Sequence, residues 1–133
     1  MSFVVAVTDY VFPSLEPERR VLAPLGVELR PAQCKSEEEI IALTQEADAI
    51  LNCYAKMTAR VIENLQRCKV IARYGIGVDN VDVVAATRAK ILVTNVPDYC
   101  IDEVSDHALA LLLALARRIV AADRDVKIGR AHV

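Results

Sequence analysis

The apolar positions of this chain follow two rhythms. Residues 3–8, 49–53, 70–73 and 91–94 are short, mainly apolar runs rich in Val, Ile and Ala, the pattern of strands covered on both faces. A briefer run at 27–30 is closed by Pro31 and predicts one more strand. Helical stretches lie between them. Residues 16–25 suit a helix with Gly26 as its stop. Ser36 heads a second helix whose Ile40, Ile41, Leu43 and Ala47 share one face. Thr58 starts a third that runs through Leu65, and residues 83–90 predict a fourth. Ser36 and Glu39 have the spacing of a capping box. The Ser36 hydroxyl is placed to accept from the Glu39 amide while Glu39 reaches back.

Five strands separated by helices predict an α/β fold with a parallel sheet and helices on both faces. Right-handed crossovers favour the flavodoxin-like strand order 2-1-3-4-5. All strand C-termini then open onto one edge. Residues 9–10, 52–56, 74–77 and 95–99 meet there and form the candidate site.

The last third breaks the rhythm. From Ile101 through Val120 the chain predicts one long helix, with Asp102, Glu103 and Asp106 near its start and Arg117 and Arg118 near its end. Both charge sets suit the helix dipole. Residues 108–116 are apolar on every face. A helix of that kind is expected to be buried all round, and a bilayer would need about 20 such residues. A second domain or a second chain is the expected cover. The organisation read from this pattern is a domain over 1–100, an interdomain helix over 101–122, and a tail over 123–133, truncated or spliced, without a recognisable element.

Composition narrows the picture. Apolar residues make up 54% of the 133 positions and charged residues 26%, with a net charge of −2. This is a packed globular chain with no basic face for nucleic acid and no membrane span. The four cysteines (Cys34, Cys53, Cys68, Cys100) are scattered without zinc spacing and read as reduced core residues. The N-terminal residues lack a basic lead and a cleavage site, so a cytoplasmic location is expected.

The densest motif is Arg73-Tyr74-Gly75-Ile76-Gly77-Val78-Asp79-Asn80-Val81-Asp82. It follows a predicted strand and precedes a predicted helix, as a dinucleotide fingerprint does. The third glycine is absent, and Asn80 stands in its place. Two glycines still allow close approach of backbone to an anion, and successive amides can form an anion nest. Asp79, Asn80 and Asp82 are expected to cap and shape the turn without touching a ligand.

Together with Ile91-Leu92-Val93-Thr94-Asn95-Val96-Pro97 and Glu103-Val104-Ser105-Asp106-His107-Ala108-Leu109-Ala110, this motif closely resembles the D-isomer-specific 2-hydroxyacid dehydrogenases. The resemblance runs over residues 4–126. It implies a substrate (lid) domain of flavodoxin-like fold, followed by the helix that crosses into a nucleotide domain. It further implies that Tyr74, Gly75, Ile76 and Gly77 form the turn that holds a substrate carboxylate. Tyr54, Ala55 and Lys56 would line the cleft, and Tyr99 sits where some members carry a cleft tyrosine. Purely structural parts remain open to each: turn glycines, packing tyrosines, a solvated lysine.

The resemblance also marks what this sequence lacks. The family's nucleotide domain, with its own Gly-x-Gly-x-x-Gly and its catalytic Arg, Glu and His, has no counterpart here. His107 is expected to be an interface residue and His132 to be idle. The reading is the substrate-binding domain of an NAD-dependent oxidoreductase that exchanges hydride between NADH and a 2-oxo acid. It would be inactive alone, with no cofactor held in this chain and NAD in the full-length parent. Its partners would be a small 2-oxo or 2-hydroxy acid, the nucleotide domain, and a second copy docked through the helix from Ile101 to Val120. A non-catalytic interaction module and an engineered flavodoxin-like fragment of the family are the alternatives. A reading frame continuing into a glycine-rich strand–turn–helix would separate them.

Overall fold

The computed structural model describes residues 3–130, so His132 lies outside the described residues. The chain divides into two compact units, Met1–Pro97 and Asp98–Val133.

In the first unit β1 (Val4–Val7), β2 (Glu28–Pro31), β3 (Ala49–Asn52), β4 (Val70–Arg73) and β5 (Leu92–Thr94) form one parallel sheet in the order β2-β1-β3-β4-β5. This is the flavodoxin-like order that the alternating pattern predicts. The unbroken apolar run of β1 has its reason in the topology: the strand lies inside the sheet and all four side chains are buried. Pro31 ends β2, an edge strand, where a missing N–H is tolerated. Ile50 of β3 and Ile71 of β4 are fully buried, against Met57, Val61 and Ile62.

The helices of this unit are α1 (Glu16–Leu22), α2 (Glu37–Thr44), α3 (Ala59–Glu63) and α4 (Val83–Arg88). A 3₁₀ turn, Ala23–Leu25, follows α1 and ends on Gly26 at φ 62°, where a side chain would be strained. Ser36 caps α2 by accepting from the Glu39 amide at 3.2 Å. Glu39 does reach back, but to the amide of Lys35 at 2.6 Å, one residue before the cap. Thr58 and Asp82 cap α3 and α4 by accepting from the Val61 and Ala85 amides. Past α4, Lys90 takes the left-handed conformation usual for glycine at φ 60°, and the Ile91 amide closes back on Ala86 O at 2.9 Å.

One ion pair ties the lower edge of the sheet. Asp48 accepts from the Val4 amide at 2.8 Å and takes both arms of Arg67 at 2.8–3.1 Å. The Val4 amide first, and Arg67 after it, hold the Asp48 carboxyl below its usual range against the opposing effect of desolvation.

The second unit holds α5 (Ile101–Ala116) and α6 (Ile119–Lys127). Two expectations are corrected here. The long helix does not run to Val120: it stops at Ala116, and Arg118 sits at φ 52°, a left-handed residue that breaks the helix. The tail is not featureless, because α6 runs into it as far as Lys127 and Gly129, at φ 72°, follows its end. None of the residues of α5 or α6 is buried. Leu111, Leu112, Leu113 and Leu115 are each more than half exposed. No helix among the described residues is long and apolar enough to cross a membrane.

Candidate functional site

The sheet reverses direction of winding between β1 and β3, since the chain leaves β1 toward β2 and returns on the other side. Ligands of open α/β sheets bind beyond the strand C-termini at such a point. A cavity of about 590 Å³ lies there, lined by Asp9 and Tyr10 after β1, Cys34 and Lys35 after β2, and Tyr54 and Lys56 after β3, among others. Its volume is within the usual range of ligand pockets. Of the residues expected from the sequence, Tyr54, Ala55 and Lys56 all line it.

Asp9 builds one wall. Its carboxylate accepts from the Cys53 amide at 3.1 Å, the Tyr54 amide at 2.6 Å and the Thr8 hydroxyl at 2.9 Å. The side chain at the end of β1 thereby fixes the loop after β3. Burial, with Asp9 adding to it, pushes both Cys34 and Cys53 above the usual thiol range, which disfavours the reactive thiolate.

The turn after β4 is a second cluster. Tyr74, Gly75, Ile76 and Gly77 follow the strand directly, yet Tyr74 does not share the cavity of Tyr54. Its hydroxyl donates to Glu18 of α1 at 3.0 Å and its ring meets Phe12 edge-on at 5.2 Å. Burial and the Glu18 carboxylate hold that phenol protonated far above neutrality. The Gly75 amide donates to Arg73 O at 2.9 Å, and Gly75 O accepts from the Val96 amide at 3.0 Å. Asn95 donates to Ile76 O at 2.8 Å. The amides of Ile76 and Gly77 make no hydrogen bond among the described residues. Neither Gly75 nor Gly77 has a positive φ. What requires a glycine at 75 is space: a Cβ there would stand 2.9 Å from Arg73 Nη1. Tyr99 falls in the second unit, just before α5.

Arg73 links the two clusters, and sequence reasoning passed over it as part of the motif. Its guanidinium lies 5.6 Å from the Tyr54 ring centroid and its Nε donates to Asn80 Oδ1 at 3.1 Å. Among the described residues it enters no ion pair. The available signal was its position, the last residue of a strand at the edge where ligands bind. A guanidinium over an aromatic ring, with no carboxylate partner among the described residues, suits a planar anion.

The same turn does not fit a dinucleotide. The helix after it, α4, has six residues, and its N-terminus is already capped by the Asp82 carboxylate, where a pyrophosphate would have to sit. The unit Met1–Pro97 contains no histidine, the side chain whose ordinary pKa lies nearest neutrality.

The sequence and the fold both have counterparts among known proteins. The chain is 39% identical over 127 residues to a D-3-phosphoglycerate dehydrogenase of Mycobacterium bovis, covering 93% of this chain and 23% of that protein. It is 40% identical over 93 residues to a glyoxylate reductase of Pyrococcus furiosus, covering 69% and 28% respectively. An acyclic imino acid reductase solved with NADPH and D-Arg superposes on 98% of this chain with a TM-score of 0.84 at 25% identity, and this chain covers 43% of it. The chain thus spans less than a third of the length of these two sequence relatives. Residues 5–126 match the model of the D-isomer specific 2-hydroxyacid dehydrogenase catalytic domain, and the chain belongs to that family.

Proposed function

We propose that this chain is the substrate-binding domain of an NAD-dependent D-2-hydroxyacid dehydrogenase. Arg73 and the amides of Ile76 and Gly77 receive the carboxylate of a 2-oxo or 2-hydroxy acid. The cavity walled by Asp9, Lys35 and Lys56 takes the rest of the molecule, which favours a polar substituent over an alkyl one. The observation that carries this reading is the Arg73 guanidinium at the end of β4, which enters no ion pair among the described residues, followed in the same turn by the Ile76 and Gly77 amides, which make no hydrogen bond among them.

Hydride transfer needs a bound nicotinamide and a proton donor as well as a cation for the substrate. The residues at this edge supply the cation alone. The chain by itself is therefore inactive, and NAD and the acid–base pair belong to a nucleotide domain outside it. The free state of Cys34, Cys53, Cys68 and Cys100 supports a reducing, cytoplasmic setting. The exposed leucines of α5 support a cover from that nucleotide domain or, in this chain alone, from a second copy.

The test is a titration of the chain with oxalate, followed by amide shifts. Binding on the order of millimolar, equivalent to about −4 kcal/mol, with shifts at Ile76 and Gly77 and loss in Arg73→Ala, is the expected result. No shift at that turn, or an unchanged affinity in Arg73→Ala, overturns the assignment. Turnover of glyoxylate, pyruvate or hydroxypyruvate with either nicotinamide, above a mock-purified control, would contradict the claim of inactivity.

A further inference from the structure

Asn80 stands where a fingerprint would have its third glycine, and its side chain is the most connected polar group of the candidate site. Its Oδ1 accepts from Arg73 Nε at 3.1 Å. Its Nδ2 lies 2.7 Å from Asn52 Oδ1, 3.0 Å from Ala55 O and 3.3 Å from Cys53 O. Asn52, fully buried at the end of β3, passes the chain of bonds on: its own Nδ2 donates to Thr8 Oγ1 at 3.1 Å and Ala55 O at 2.9 Å. Asn80 therefore ties the end of β4 to the end of β3 and the loop after it. We propose that Asn80 is a positioning residue that sets the Arg73 guanidinium as an anion receptor. The inference rests on the reading above that this edge takes a carboxylate.

The residue type follows from the partners. One end of the side chain faces a cation's N–H and must accept; the other faces three oxygens and must donate. An amide does both, and these partners fix which end is which. Aspartate could not donate to the three oxygens, and its charge would neutralise Arg73 before any ligand arrived. Alanine would leave Asn52 Oδ1 without its donor and free the guanidinium to rotate. The neutral amide holds Arg73 by its Nε and leaves both Nη groups without a hydrogen bond or ion pair among the described residues, the bidentate edge that a carboxylate uses. The Tyr54 ring, its centroid 5.6 Å from the same guanidinium, adds a cation–π contact. Two loops that must share one substrate are thus fixed to each other by a side chain that does not touch it.

The experiment compares Asn80→Ala, Arg73→Ala and the double variant in the 133-residue chain, with two readouts. The first needs no ligand: the exchange rate of the Arg73 Nε–H, read in an arginine-selective proton–nitrogen spectrum. It is expected to be protected in the parent and to exchange about tenfold faster or more in Asn80→Ala. The second is oxalate affinity. Asn80→Ala is expected to weaken it about five- to tenfold, and to add nothing once Arg73 is alanine, because contacting pairs are non-additive. If Asn80→Ala does not fold, Arg73→Lys, which keeps the charge without an Nε–H donor in that place, is expected to give the same five- to tenfold loss. An Arg73 Nε–H that exchanges freely in the parent, a rate unchanged by Asn80→Ala, or additive losses in the double variant would overturn the inference. So would an Arg73→Lys variant that binds as the parent does. Protection that depends on Asn80 in a chain where Arg73→Ala leaves oxalate affinity unchanged would uphold the positioning and sink the carboxylate reading instead.

Discussion

Gly75→Ala separates the needs of the fold from those of the site. A Cβ at 75 would meet Arg73 Nη1 at 2.9 Å, Cζ at 3.3 Å and Nη2 at 3.5 Å. The first distance is shorter than carbon atoms tolerate, so the guanidinium must move. The atom in the way is the far end of a flexible side chain, and the move is inexpensive for the backbone. It strains the 3.1 Å hydrogen bond to Asn80, worth about 1.5–3 kcal/mol when one partner is charged. Against this stands the lower entropy of an unfolded chain with alanine in place of glycine, about 0.4–1 kcal/mol, which counts fully because the native φ is not left-handed. Partial relaxation of the guanidinium brings the two closer still. Stability is expected to change by no more than about 1–2 kcal/mol.

The site has no such compensation. A displaced guanidinium loses a charge-assisted bond to the ligand, again about 1.5–3 kcal/mol, or roughly ten- to a hundredfold in affinity. The assay pairs a urea midpoint with an oxalate titration of parent and variant. Gly77→Ala is the contrast, since its Cβ meets Asp79 Oδ2 at 3.2 Å and no atom of Arg73. A Gly75→Ala chain that binds oxalate within twofold of the parent would refute the argument, and so would one that unfolds outright.

Ile71→Ala, in the fully buried centre of β4, should cost about 2–5 kcal/mol and lower the melting temperature by about 10 °C or more; a shift of a degree or two would mean that the sheet centre collapses around the gap. Asp48, held below its usual range mainly by the Val4 amide and Arg67, contributes stability that is fully present above about pH 5 and lost as pH falls below about 4 through its depressed pKa. Asp48→Asn should therefore lower stability at neutral pH and flatten the acid limb of the profile, while an unchanged acid limb would count against the assignment. Replacing Leu111 and Leu113, both more than half exposed, with Gln should reduce the light-scattering mass if α5 pairs between copies; a parent chain that is monomeric across micromolar concentrations would remove that prediction.

Elements with strong local signals were legible. Strand β1 could be read because an interior parallel strand must be apolar on both faces, and α2, α3 and α4 because Ser36, Thr58 and Asp82 can each accept from an amide three residues on. The break at Arg117 and Arg118 was not legible. Neither residue is a glycine or proline, and arginine is an ordinary helix former; the left-handed Arg118 carries no mark in its residue type. The packing of Tyr74 was not legible for a related reason. Its place beside the glycines suggests a ligand contact, but its partner Glu18 is 56 residues away in sequence, and no local pattern foretells a pairing over that separation. From residue type alone, Asn80 reads as a turn former, which is what asparagine before a helix commonly is. Its bonds to the segment after β3 exist only once the sheet has brought residues 52–55 beside it.

The two-glycine turn can now be read physically. A pyrophosphate site needs a helix N-terminus pointed at the ligand, and the third glycine exists to bring that helix close. Here the third place holds Asn80, the helix begins only at Val83, and the Asp82 carboxylate already accepts from the Ala85 amide in its first turn. The positive charge comes from Arg73 instead, at the end of the preceding strand, and the residue in the third glycine's place is the one that holds it. Restoring a glycine at 80 should therefore not create a nucleotide site. It should remove the acceptor of Arg73 Nε and the donor to Asn52 together, leaving a turn that binds neither anion well. Oxalate affinity lost in Asn80→Gly without any gain for NADH or pyrophosphate is the expected outcome. A measurable gain for either would mean that the helix terminus, rather than Arg73, is the anion-binding element of this turn.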